Sequence, residues 1–130
     1  MTPEQTAVAR RLVESPHWRW VEGAKDAGGA RCTKARSGSV KWAVDDWLSD
    51  WCELEGDEAP DLNDPATIGV IEHLAREAWA PNEYEHRLKG CDRVQADCHK
   101  PWRVWTNRGK PIAYGVCRGE AWAAALLAAP

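Results

Sequence analysis

Phenylalanine is absent from this chain, and methionine and tyrosine nearly so, with 1 Met and 2 Tyr. The large apolar side chains of a core must therefore come from aliphatic residues and from 9 tryptophans. A buried indole wants an acceptor for its N–H, so several rings are expected to sit half-buried at sheet edges or on a binding face. No apolar run approaches the roughly 20 residues of a membrane-spanning helix, and no basic segment precedes a hydrophobic leader. The expected compartment is the cytoplasm (the host cell's, if the protein is phage-encoded), without membrane association. A glycine-rich phosphate loop, a nucleophile elbow and a zinc-protease helix motif are all missing. The expectation is a protein that is not an enzyme.

What is present suits one globular domain spanning 1–130, with 44% hydrophobic and 28% charged residues. The five cysteines, Cys32, Cys52, Cys91, Cys98 and Cys117, are odd in number and not closely paired. Without an export signal they read as reduced thiols. The net charge of −3 conceals three blocks. Residues 1–42 carry a balance of +4, residues 43–66 carry nine acidic and no basic side chains, and the remainder is +2. Charge is segregated along the chain, and that segregation is its main electrostatic signature.

The stretch 61–79, DLNDPATIGVIEHLAREAW, reads as one amphipathic helix. Asp64 can cap its first turn, Pro65 suits the first helical position, and Ile68, Ile71, Leu74, Ala75 and Ala78 recur at helical spacing. An earlier helix is expected from Thr2 to Ser15, with Val8 and Leu12 facing inward. Alternation in His17–Val21 predicts a strand, and a second is expected over Ala30–Ala35. Val40, Trp42 and Val44 suggest a third strand that gives way to a short helical turn. The breaker-rich connector 80–101 is long for a compact domain and implies either a functional excursion or a concealed element. Trp102–Thr106 and Pro111–Cys117 form a hairpin, and Ala121–Ala129 a final alanine-rich helix. The fold class is thus α+β: a two-layer domain with one antiparallel sheet of four or five strands packed against helices, in the order α-β-β-(β)-α-β-β-α. The C-terminal α-β-β-α half resembles double-stranded-RNA-binding domains in its ordering alone.

Trp18-x-Trp20-x-x-Gly23, then Pro60-Asp61-Leu62-x-Asp64-Pro65-Ala66-Thr67, then the alanine-rich end from Glu120 to Pro130, together span nearly the whole chain. In this set the chain resembles small accessory proteins of tailed phages and prophages. The resemblance implies a phage origin and carries over no active-site residue.

Three constellations are candidate sites. Asp45, Asp46, Trp47, Asp50, Trp51, Glu53, Glu55, Asp57 and Glu58 interleave carboxylates with indoles, as a surface shaped for a basic groove on a host protein would. The plainer reading is a solvated loop that keeps the protein soluble. Trp18, Arg19, Trp20, Arg31, Lys34 and Arg36 could instead make a sheet face that stacks bases and pairs phosphates, an alternative in which the partner is nucleic acid. His86, Cys91, Cys98 and His99, with Cys117 approaching from the return strand, offer soft ligands for zinc. Their spacing matches no tight knuckle, so no cofactor is the leading expectation. Function points to a binding protein acting through the acidic stretch, as an inhibitor of a host defence protein.

Overall fold

A computed structural model of the chain describes residues 1–53, 59–80, 88–92, 102–106 and 109–130. Helix α1 spans Pro3–Glu14 and opens with a reciprocal cap. The Gln5 amide donates to Thr2 Oγ1, and the Thr2 amide donates to Gln5 Oε1. Ala9 and Leu12 are its buried apolar residues. Helix α2, Pro65–Trp79, starts where the Asp-Pro signal places it and buries Ile71, Leu74 and Ala75, as the spacing predicts. Helix α3, Arg118–Leu127, is buried on nearly every side through Ala121, Trp122, Ala123, Ala125 and Leu126. It touches both other helices, and small alanines let them approach closely. Trp79 places its indole N–H 2.9 Å from the Ala125 carbonyl, so this ring satisfies its donor on the α3 backbone. Glu72 of α2 adds an ion pair to Arg118 of α3 at 2.5 Å.

Among the described residues, seven strands form two antiparallel sheets. The first contains β1 (Arg31–Arg36), β2 (Ser39–Val44), β3 (Trp47–Leu48) and β4 (Cys52–Glu53), with β3 and β4 both paired to β2. The second is a meander of β5 (Lys89–Asp92), β6 (Trp102–Trp105) and β7 (Pro111–Gly115). The α+β class is as expected, but the single sheet is not. Each hairpin has one apolar face, and each face finds its own cover. Cys32, Val40 and Trp42 of the first sheet pack with Trp20 and Ala24. Val104 and Ala113 of the second join the helices in a larger core. Trp18 and Val70 lean on both clusters and connect them.

Three local expectations need correction. Residues 17–21 join no strand: His17 lies in a turn, and the segment delivers Trp18 and Trp20 to the junction of the two cores. The helical turn expected after Val44 is a β-turn, because Asp45 takes a positive φ of 52° and sends the chain back along β2. The concealed element of the connector is β5, which makes the C-terminal half α-β-β-β-α.

Gly119 sits where α3 meets the segment leading into α2. A Cβ built there would fall 1.9 Å from the Leu62 carbonyl oxygen, a backbone atom that has nowhere to go. Gly119→Ala is expected to cost at least about 2 kcal/mol in urea unfolding. A loss below about 0.5 kcal/mol would show that this junction yields easily.

Candidate functional site: two ends of one sheet

The first sheet is fastened to α2 by a polar node. Arg31, in β1, donates from both terminal nitrogens to Asp64, at 3.0 and 2.8 Å, and also to the Gly23 carbonyl at 2.6 Å. Asp64 in turn accepts from the Thr67 amide and hydroxyl, at 3.0 and 2.8 Å, as the N-cap of α2. Thr67 Oγ1 accepts from the Lys25 amide at 2.8 Å. The Arg31 guanidinium holds the Asp64 carboxyl well below the usual carboxylate range, against the opposing effect of burial. Two candidate residues are therefore structural. Arg31 is committed to Asp64, and Trp20, only 5% exposed, packs edge-on against Trp18 and Trp42 with ring centroids 5.3 and 4.9 Å away.

Fixed in this way, the sheet presents two unlike ends, separated by the six residues of β2, or about 17 Å. At one end the turn Val44–Trp47 carries Asp45 and Asp46, both exposed. Trp47 is 62% exposed and its neighbour Leu48 69%. Successive strand residues face opposite sides, so exposure of both means the tip stands clear of the body. Asp50 is exposed nearby, whereas Glu53, also exposed, lies opposite Ser39 at the other end of β2. None of these four acids forms an ion pair among the described residues. Glu55, Asp57 and Glu58 lie outside the described residues.

The other end, around the Ser37-Gly38 turn, is basic. The Arg36 guanidinium lies 4.0 Å from the centre of the Trp51 ring, and the Lys41 ammonium 5.2 Å from it. Trp51, assigned to the acidic surface by its place in the sequence, belongs in space to this cationic end. An open groove of about 1090 Å³ adjoins it, with Trp18, Trp51, Arg19, Glu22, Lys34 and Arg36 among its walls. Arg19 is matched by Glu77 at 3.0 Å. Lys41 is the member that charge counting alone leaves unplaced. The signal for it is present: a two-residue Ser-Gly turn sets Arg36 opposite Ser39 and therefore Lys34 opposite Lys41.

The zinc constellation is not assembled among the described residues. His86, Cys98 and His99 lie outside them, Cys91 is in mid-strand opposite Arg103, and Cys117 Sγ accepts from Gln5 Nε2 at 3.2 Å. Burial, with Glu22 nearby, pushes the Cys32 thiol up to about 11, so it stays protonated at neutral pH and is a poor nucleophile. Among the described residues, no helix is long and apolar enough to cross a membrane.

Comparison with protein-family models, curated proteins and solved structures finds no match for this chain.

The node makes a pH prediction. Asp64 has a depressed pKa in the folded state, so the unfolded chain gains a proton first, near its ordinary value of about 3.9. The stability from this pairing is complete above that value and drains away as pH falls towards the folded pKa. Asp64→Asn should lower stability by about 1–3 kcal/mol at pH 7. It should also flatten the acid side of the stability profile between about pH 5 and 2. Parallel profiles for the two proteins would mean that Asp64 contributes no linked protonation.

Proposed function

We propose that this is a non-enzymatic binding protein whose acidic hairpin tip docks on a basic surface of another protein. The observation that carries the reading is the pair Trp47 and Leu48, both more than half exposed and flanked in sequence by Asp45, Asp46 and Asp50, none of which forms an ion pair among the described residues. Aromatic and aliphatic anchors of this kind supply the buried centre of an interface, while the surrounding charges steer the encounter. Backbone strain at the tip supports it too. Asp45 is the one non-glycine residue with positive φ among the described residues, and such outliers gather where function holds them.

A basic nucleic-acid groove on the partner meets these requirements, since it combines positive field with room for a protruding hairpin. The phage resemblance of the sequence supports a host protein, and specifically a nucleic-acid-handling defence protein such as a CRISPR effector. Occlusion of its groove would inhibit it without any catalytic step, in the cytoplasm of the host cell. The acidic tip of this chain would then stand in for phosphates.

A bacterial lysate passed over the immobilised protein tests this. A partner should be retained at about 0.05 M salt and released near 0.5 M, where screening shortens the reach of the charges several-fold. Trp47→Ala/Leu48→Ala should keep the parent melting temperature and weaken capture by about thirtyfold or more. Asp45→Gly should raise stability by about 0.5–1 kcal/mol while weakening capture, which separates the tip's strain from its use. Equal capture by the double variant, or no partner at either salt, would remove this surface from consideration.

A further inference from the structure

The basic end of the first sheet sets like charges against each other, with Glu53 opposite Ser39 as the acidic residue in the row of Arg36. Lys34 and Lys41 are direct cross-strand partners, an arrangement that destabilises a sheet when the charges are alike. Arg36 lies two residues along β1 from Lys34, on the same face. None of the three forms an ion pair among the described residues. The Trp51 ring attracts Arg36 and Lys41, but a π face leaves their charge in place. Beside them runs the groove, walled in part by the indoles of Trp18 and Trp51. The Trp18 indole N–H is buried without an acceptor.

We propose that this groove binds single-stranded nucleic acid, with phosphates drawn to Lys34, Arg36 and Lys41 and bases stacked on the bordering indoles. Three unmatched cations call for more than one phosphate. The groove, at about 1090 Å³ and open, exceeds the roughly 300–1,000 Å³ typical of small-ligand pockets. Indoles beside cations are the pattern of sequence-tolerant single-strand binding, in which each base offers a face to a ring. A duplex hides those faces, and an acidic peptide would engage the cations but leave the rings unused. This site lies at the opposite end of β2 from the acidic tip, so either can fail without the other.

The test is anisotropy of a labelled oligothymidylate of about 15 nucleotides with the full chain. Three neutralised phosphates give a slope of log affinity against log salt near −2, at about 0.7 per contact. Lys34→Gln/Lys41→Gln should bring the slope to about −0.7 and weaken binding at about 0.05 M salt by ten- to a hundredfold. Because it removes a repulsion, this variant should melt no lower than the parent. Trp51→Leu should weaken binding by about tenfold with the slope unchanged, which a purely electrostatic role would not produce. Lys110→Gln, in the turn before β7, should bind as the parent does. The proposal is overturned by absence of binding at that salt, or by a slope the lysine variant leaves intact. Equal affinity for a duplex of the same length, or equal competition by polyglutamate, would overturn it as well.

Discussion

The Arg31–Asp64 pair is the constraint on which the arrangement of this protein depends. Among the described residues the first sheet shares no strand pairing with the second, and it has only a small core of its own. What orients it is the guanidinium of β1 gripping the residue that caps α2, with Thr67 and the Lys25 backbone closing the circuit. Asp64 therefore serves the helix and the sheet at once. A half-buried ion pair returns little net energy after desolvation, but removing one partner strands the other. The pair thus acts more as a locator than as a source of stability.

Tryptophan does the complementary work. With no phenylalanine available, indoles fill the spaces between elements, and their N–H groups decide where they can go. Trp79 donates to the α3 backbone, whereas Trp20 and Trp42 build an edge-to-face stack beneath the first sheet. Trp47 stays outside, and Trp51 is held by cations. Side chains of one chemical type thus serve as core, as joint and as exposed surface. Charge sorting follows from the same sheet. The Asp45-Asp46 turn and the Lys34, Arg36 and Lys41 cluster become opposite ends of one strand, while Asp64 of the acidic block reaches Arg31 of the basic one.

Legibility in the sequence tracks how local each determinant is. The cap and first turn of α2 were readable because Asp64 and Pro65 act within one turn. The alanine-rich α3 was readable from intrinsic preference, although its near-complete burial was not. Two sheets in place of one could not be seen, because alternation reports that a strand has an apolar face but not what covers it. Val44, Trp47, Leu48 and Trp51 fit a helical stripe as well as a hairpin, and the left-handed Asp45 settles the matter only in three dimensions. For the candidate sites, composition groups residues by their place in the chain, and the fold sorts them differently. Arg31 and Trp20 are framework, Trp51 changes sides, and Lys41 joins the basic end through a register that the Ser37-Gly38 turn encodes.

The claim that Arg31 and Asp64 together locate the first sheet on α2 is tested most directly by a double-mutant cycle in urea, using Arg31→Ala, Asp64→Ala and the pair. The account predicts a coupling energy of about 1.5 kcal/mol or more, with the second substitution costing little once the first is made. Additivity within about 0.5 kcal/mol would contradict it, because the two residues would then act independently and the sheet would be held in place by something else.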